Sequence, residues 1–194
     1  MWEQLKRVIK PNGAIVMTAS QPFTTTLIAS NMKMFKYCWV WEKNIASNFA
    51  FAKYGVMKFH EDVCVFYKKP PTYNPIMTKG RPNNSVGKGV RNGAATSTAN
   101  TKVVTNKTDG MKHPKSVIKF NRQTGLHPTQ KPVALMEYLI KTYSNEGDTV
   151  LDFAMGSGTT MVACRNLNRK GIGIELDETY FNIAKTRIEG TTCN

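Results

Sequence analysis

Apolar residues near the start of the chain fall in short runs that predict alternating helices and strands. Residues 2–9 place four apolar side chains on one helical face, namely Trp2, Leu5, Val8 and Ile9. The apolar run of residues 14–17 has the length and composition of a buried strand. Residues 23–30 predict a second short helix, which we expect Ser20 to cap, with Pro22 in its first turn.

Two aromatic and β-branched runs follow, at residues 37–41 and 62–67. Both have the composition and the length of strands. We expect these strands to pair with each other, and residues 42–61 then form the loop between them.

Regular patterns return after His127 and alternate between helix and strand. They predict helices over residues 132–143, 159–166 and 178–188, and strands over residues 149–153 and 171–175. A strand, helix, strand, helix order indicates a parallel sheet with right-handed crossovers. The pattern therefore predicts an α/β protein.

The segment between these two regions differs from both in composition and charge. From Lys68 to Lys131 there are thirteen basic residues and a single acid, Asp109, while the whole chain has a formal net charge of +14. Residues 83–110 contain almost no large apolar side chains. Such a segment cannot build a core of its own, and its concentrated positive charge favours a polyanionic partner.

The sequence argues against a membrane protein, a secreted protein and a zinc protein. No apolar run reaches the roughly 18 residues that a membrane helix needs, and charged residues interrupt the N-terminus, unlike a secretory signal. The four cysteines and three histidines are scattered and include no Cys-x-x-Cys pair. We therefore expect no metal site and a reduced, cytoplasmic setting.

A glycine loop joins a predicted strand to a predicted helix, with the sequence Asp152-Phe153-Ala154-Met155-Gly156-Ser157-Gly158-Thr159. Its glycines allow a sharp turn and a close approach of a ligand, and the helix start at Thr159 offers free amide groups. Glu175 ends the next predicted strand, where nucleotide-binding βαβ units place a carboxylate on ribose hydroxyls. For the loop taken alone, a plain strand-to-helix turn remains the alternative.

The residues around the glycines narrow the ligand class. The third glycine of an NAD site is missing, and no Gly-Lys-Ser/Thr of a P-loop follows. An acid directly before the loop suits a ligand that carries an ammonium group, as S-adenosylmethionine does. The pattern therefore favours a nucleoside cofactor of this kind.

A second motif, His127-Pro128-Thr129-Gln130-Lys131-Pro132, precedes the glycine loop. Together with Val150-Leu151-Asp152, the loop itself and Gly171-Ile172-Gly173-Ile174-Glu175, it resembles the β group of DNA adenine-N6 and cytosine-N4 methyltransferases. The resemblance implies a Rossmann-like methyltransferase sheet, mostly parallel, with a basic irregular insertion. It also implies S-adenosylmethionine as the cofactor and the exocyclic amine of adenine or cytosine in DNA as the methyl acceptor.

The same resemblance assigns roles to single residues. Asp152 would hold the methionine ammonium and Glu175 the ribose, beside the loop residues Gly156, Gly158 and Thr159. Phe153, Leu176 and Asp177 would border the adenine, and Thr129 and Lys131 would face the carboxylate. Because the aromatic directly follows the acid here, where the family has Asp-Pro-Phe, Phe153 either walls the cofactor or points into the core. For Lys131, a solvated lysine before a helix is the alternative.

By this resemblance the chain divides into middle strands and helices of the sheet (1–67), a basic target-recognition insertion (68–125), a cofactor-binding βαβ half (126–190) and a tail (191–194). The predicted DNA contacts are Lys79, Arg81, Lys88, Arg91, Lys102, Lys107, Lys112, Lys115, Lys119 and Arg122. Most lysines would contact phosphates, whereas Arg81 and Arg91, with asparagines nearby, suit base edges. A basic linker without sequence preference is the alternative.

The catalytic motif of the family, Asp/Asn/Ser-Pro-Pro-aromatic, does not occur in the sequence, so no catalytic residue is assigned. Pro70-Pro71 lies between a lysine and a threonine, and no cysteine follows a proline as a cytosine-C5 mechanism would need. We expect Met1 to be an internal methionine of a longer protein, and the central catalytic strand to be missing from this chain. That strand would lie between the strand ending at Asp152 and the strand of residues 14–17.

The predicted function is therefore that of a site-specific DNA methyltransferase, or of a fragment of one that is inactive alone. The expected partners are double-stranded DNA with a flipped target base and either a second chain that supplies the missing strands or a homodimer. A prokaryotic or phage source is expected. The alternatives are a non-catalytic remnant or subunit that binds cofactor and DNA, and, less favoured by residues 127–132, an RNA methyltransferase.

Overall fold

Two units make up the described part of the chain. The computed structural model describes residues 1–80 and 110–190. The larger unit lies within Met1–Asn74 and Lys115–Asn194, and the smaller one within Pro75–Pro114. None of the helices in these described residues is long and apolar enough to span a membrane.

The helices and strands alternate along most of the chain. Up to Lys79 the elements are α1 (Trp2–Val8), β1 (Ile15–Ala19), α2 (Phe23–Ala29), β2 (Phe35–Glu42), a 3₁₀-helix (Phe49–Phe51), β3 (His60–Phe66) and β4 (Thr78–Lys79). From Met111 they are β5 (Met111–Lys112), β6 (Val117–Lys119), α3 (Val133–Tyr143), β7 (Thr149–Asp152), α4 (Thr159–Asn166), β8 (Lys170–Gly173) and α5 (Glu178–Glu189).

The larger sheet has four strands in the order β1-β3-β2-β6. Strand β3 is antiparallel to β1 and β2, and β6 is parallel to β2, so that only β3 runs against the other three. The predicted pairing of residues 37–41 with 62–67 is therefore confirmed. Because β3 lies between two strands and is covered on both faces, its run Val63-Cys64-Val65-Phe66 is completely buried.

Helix α3 packs between the larger sheet and a second, parallel pair of strands, β7 and β8. Its Leu135 and Leu139 share a buried cluster with Trp39, Trp41 and the β3 valines. Its Ile140 instead joins a cluster with α4 and α5. The described residues thus form three buried clusters: these two, which α3 connects, and a third among β1, α2 and β3.

The strands β1 and β7 each have one neighbour among the described residues. β1 pairs only with β3, and β7 only with β8. Lys10, in the segment before β1, and Asp148, directly before β7, form an exposed ion pair with N–O distance 3.5 Å, so these two segments lie close together. Among the described strands, none pairs with the two edges that the sequence predicts to flank a missing central strand.

Several local predictions differ from the structure. Ser20 does not cap α2, because Pro22 occupies the N-cap position and has no side-chain acceptor. Both predicted strands near the loop end early, β7 at Asp152 and β8 at Gly173. The short strand β6 belongs to the larger sheet, although its residues lie in the predicted basic insertion.

Candidate functional site

The glycine loop follows β7 and leads into α4 through two left-handed residues. Gly156 has φ +51° and Gly158 has φ +77°, conformations that residues with a Cβ rarely adopt. The amide of Met155 donates to the carbonyl of Ile174 at 3.0 Å, so that the loop stays attached to the chain beyond β8. The loop is thus a fixed turn at the carboxyl ends of both strands.

Two neighbours approach the glycines closely, so that an added side chain would be tight at Gly156 and would force a shift at Gly158. A Cβ on Gly156 would lie 3.2 Å from Cδ2 of His127, and a Cβ on Gly158 would lie 2.8 Å from Cβ of Ala184 on α5. The His127 ring also packs against Tyr180, with 4.2 Å between ring centroids. The segment that carries His127 therefore lies directly on the loop.

The carboxylate of Asp152 is oriented by its own loop and helix. Thr160, buried in the first turn of α4, donates its hydroxyl to Oδ2 at 2.5 Å. The amide of Ala154 donates to Oδ1 at 3.1 Å. Since a carboxylate has about four acceptor positions, Asp152 keeps capacity for a further donor.

Glu175 reaches back to the same loop from beyond β8. Its Oε1 accepts from the amides of Leu176 and Asp177 at 2.9 and 3.0 Å, and its Oε2 accepts from the amide of Gly156 at 2.8 Å. The hydrogen bond from Asp177, then those from Gly156 and Leu176 and the nearby His127, hold the pKa of Glu175 below its usual value. It is therefore ionised at neutral pH.

The structure brings most of the predicted cofactor residues to this one loop. Asp152 and Glu175 both bond to loop amides, and Thr159 begins α4 there. Phe153 is 43% exposed, so it does not point into the core, and Leu176 is 100% exposed. The side chain of Asp177 accepts from the amide of Tyr180 at 3.1 Å and caps α5.

Thr129 and Lys131 already have partners within the protein. The Thr129 amide and hydroxyl lie 3.1 Å from Nδ1 of His127. Lys131 donates to the carbonyl of Thr129 at 2.9 Å and lies 3.5 Å from Oε2 of Glu61. The alternative of a solvated Lys131 is therefore wrong, because its side chain is only 20% exposed.

Sequence reasoning missed some residues that shape the loop. Thr160 and Tyr180 were not predicted, and neither was Arg187 on α5, whose Nη1 donates to the Ser157 carbonyl at 3.1 Å and to the Thr159 hydroxyl at 3.0 Å. Burial lowers the pKa of Arg187. Ala184, Arg187 and Ile188 share helical spacing on α5, which was the available signal for a face packed on the loop.

The predicted DNA contacts are described only in part. Lys79 lies on β4 and Lys112 on β5 of the smaller unit, and Lys115 is exposed. Lys119 pairs with Glu42 at 2.9 Å, and the Arg122 guanidinium donates to the carbonyl of Ala46 at 3.3 Å. Five others lie outside the described residues: Arg81, Lys88, Arg91, Lys102 and Lys107.

Comparison with known proteins identifies the family. The model of the DNA methylase family of N6 and N4 methyltransferases matches residues 1–186. The chain belongs to this family. The type II methyltransferase M.HpaI of Haemophilus parainfluenzae is 29% identical over 193 residues, which are 96% of this chain and 57% of that protein. M2.DpnII of Streptococcus pneumoniae is 45% identical over 71 residues, 37% of this chain and 26% of that protein.

A solved relative of this chain has the same fold. The crystal structure of an M1.HpyAVI–SAM complex is 29% identical and superimposes with a TM-score of 0.64, covering 95% of this chain and 78% of the other. The Rossmann-like methyltransferase fold and the family resemblance predicted from the motifs are therefore confirmed. The chain spans little more than half of the length of M.HpaI.

Proposed function

We propose that this DNA methylase chain forms the cofactor-binding and DNA-reading part of a site-specific DNA methyltransferase. It would serve methyl transfer from S-adenosylmethionine to N6 of adenine or N4 of cytosine. The family match, the type II methyltransferases among its relatives and the S-adenosylmethionine complex of a relative support this. The same relatives give no support to a non-catalytic remnant.

The observation that carries the proposal is one glycine loop with a carboxylate on either side. S-adenosylmethionine offers an ammonium, ribose hydroxyls and a sulfonium, all of which suit acceptor oxygens. Asp152 and Glu175 provide such oxygens at the same loop, and Gly156 has no Cβ to block it. When bound, the cofactor supplies an electrophilic methyl group.

The residues of this chain bind the cofactor and orient it. Asp152, held by Thr160, takes the ammonium, and Glu175 takes the ribose hydroxyls. The exposed Phe153 and Leu176, with Asp177, border the adenine. Thr129 and Lys131 lie on the segment that contacts Gly156 through His127, and they take the carboxylate.

Methyl transfer also requires a DNA substrate and the catalytic motif, which this sequence does not contain. The substrate is double-stranded DNA with its target base flipped out, because the exocyclic amine is otherwise inaccessible inside the stack. The Pro-Pro-aromatic motif is absent from the given sequence, and a second copy of that sequence would lack it too. The motif therefore comes from a different segment, either of the same protein or of a second, different chain. We place the activity in a bacterial cytoplasm, like that of the organisms that encode the relatives.

Calorimetry with S-adenosylmethionine tests the site. Losing one charged hydrogen-bond acceptor should weaken binding roughly 10- to 100-fold in Asp152→Asn and in Glu175→Gln. Two controls make the same acid-to-amide change at carboxylates that do not bond to the glycine loop. They are Asp148→Asn, directly before β7, and Glu178→Gln, in the first turn of α5. Equal binding by all five proteins would reject the site.

A methylation assay tests the activity. The chain is incubated with labelled S-adenosylmethionine and mixed-sequence duplex DNA, alone and together with a segment that carries the Pro-Pro-aromatic motif. Label in adenine N6 or cytosine N4 only when both are present is the expected result. Binding of the cofactor without any transfer in the mixture would contradict a methyltransferase.

A further inference from the structure

The loop between β2 and β3 has a composition that neither the core nor the cofactor site explains. From Lys43 to His60 it contains no Asp or Glu, and it includes Lys53 and Lys58. We call residues 44–59 the aromatic loop. Its large apolar side chains are exposed rather than buried: Ile45, Phe49, Phe51, Tyr54, Val56 and Phe59.

The aromatic loop is organised by its backbone and not by those side chains. The amide of Lys43 donates to the carbonyl of Phe59 at 2.7 Å. Asn48 joins both sides of the loop, since its Nδ2 donates to the Val56 carbonyl at 3.0 Å and its Oδ1 accepts from the Lys58 amide at 2.6 Å. The rings therefore project from a hydrogen-bonded backbone into solvent, with Phe49 79% and Tyr54 86% exposed.

An ionic network connects the two ends of the aromatic loop to Lys131, in the segment that also carries His127. Lys43, whose side chain is 1% exposed, lies 3.1 Å from Oε1 of Glu61 and donates to the hydroxyl of Ser47 at 3.0 Å. Lys131 lies 3.5 Å from the other oxygen of Glu61. A buried lysine needs an acidic partner, and Glu61 is the partner of Lys43. Because Glu61 also pairs with Lys131, the two ends of the loop are connected to the segment whose His127 contacts Gly156.

We propose that the aromatic loop is a DNA-binding surface that stacks on unstacked bases where the duplex is opened. This inference rests on the proposed function, which requires a base to leave the helix. Rings interleaved with lysines and free of acids suit nucleic acid, because the rings stack on any base and the lysines meet phosphates. Exposed apolar patches of this kind mark interaction sites in folded proteins.

The test compares affinities for a short fluorescent single-stranded DNA and for the same sequence as a closed duplex, measured by anisotropy. Phe49→Ala and Tyr54→Ala should each weaken single-strand binding roughly tenfold, with a smaller effect on the duplex. Tyr54→Phe keeps the ring and should bind like the wild type. Phe181→Ala is the matched control, since Phe181 is an exposed ring on α5, outside the segments predicted to contact DNA.

The outcomes separate this inference from the proposed function. If the wild type binds neither DNA, the proposed function fails and the inference fails with it. If the wild type binds DNA and Phe49→Ala and Tyr54→Ala bind it equally well, the inference alone is overturned. It is also overturned if these two variants lose self-association or a protein contact while their DNA affinity is unchanged.

Discussion

Asp152 depends on a neighbour, Thr160, to which the sequence assigned no role. The hydroxyl of Thr160 donates to its carboxylate at 2.5 Å from a buried position on α4. In Thr160→Val this donor is lost and the carboxylate is free to turn. We expect about 1 kcal/mol lower free energy of unfolding, measured with urea, and weaker S-adenosylmethionine binding, measured by calorimetry.

The control for Thr160 is Thr186, which donates its hydroxyl to the Asn182 carbonyl on the exposed face of α5. Thr186→Val should leave cofactor binding unchanged. If both valine variants bind S-adenosylmethionine like the wild type, Asp152 does not need Thr160 for its function.

Glu175 makes the stability of the loop sensitive to acid. Three backbone amides, that of Asp177 first, lower its pKa in the folded chain below its usual value of 4.5. The folded state therefore binds this proton less readily than the unfolded state, and the resulting stabilisation is present above pH 4.5 and lost as the pH falls through the folded pKa. We expect the stability difference between wild type and Glu175→Gln to shrink below pH 4.5.

Urea unfolding at pH 7 and at several lower pH values measures this difference. Other carboxylates titrate in both proteins, so their effects cancel in the comparison. Glu178→Gln removes a carboxylate from the exposed start of α5 and provides the control. A difference that stays constant from neutral to acid pH would show that Glu175 does not stabilise the folded loop as an anion.

At the scale of elements, one glycine sets the distance between α4 and α5. Gly158 and Gly147 have nearly the same backbone, φ +77° and +78°, but a Cβ on Gly158 would lie 2.8 Å from Ala184, whereas Gly147 has nothing within 4 Å. Gly147→Ala therefore reports the cost of the left-handed conformation alone, about 1 kcal/mol. Gly158→Ala should cost at least about 1 kcal/mol more, because α5 must move.

Thermal and urea unfolding of the two alanine variants give this comparison directly. Equal losses of stability would mean that α5 moves away from α4 at little cost. In that case, close packing at Gly158 would not be what fixes the loop.

The sequence predicts elements well where they have their own signal. The glycine loop marks the start of α4, which forms at the residues predicted, and a continuous apolar run marks β3. Strand β6 has only three residues and exists because it pairs with β2, so no local pattern could reveal it. Helix α2 begins at Phe23 as predicted, but the expectation that Ser20 caps it was wrong, because Pro22 occupies the N-cap position.

The candidate site likewise contains residues that the sequence could predict and contacts that it could not. Asp152 and Glu175 were predictable because the loop and the strand ends place them. The contacts of Thr160, of His127 with Gly156 and of Lys131 with Glu61 arise from tertiary packing. Their partners come from different elements, and their spacing in the sequence carries no periodic signal.

At the scale of the molecule, α3 packs both against the four-stranded sheet and against the elements around β7 and β8, while β1 and β7 each have an open edge. β1 and β7 each lack a second partner among the described strands, and unpaired strand edges are exposed to water or to other chains. Apolar side chains also remain exposed on the sheet of β7 and β8, at Leu151 and Ile172. From both observations we infer that these surfaces become covered if a further strand binds.

Hydrogen exchange followed by mass spectrometry should detect this in the chain as it stands. Amides of Val63–Phe66, in a strand with neighbours on both sides, should exchange slowly, and those of Ile15–Ala19 and Thr149–Asp152 faster, because half of them have no strand to pair with. Adding the segment with the catalytic motif should slow exchange in β1 and β7 and raise the melting temperature. A monomer in size-exclusion chromatography whose β1 and β7 are as protected as β3 would mean that the gap closes without another strand.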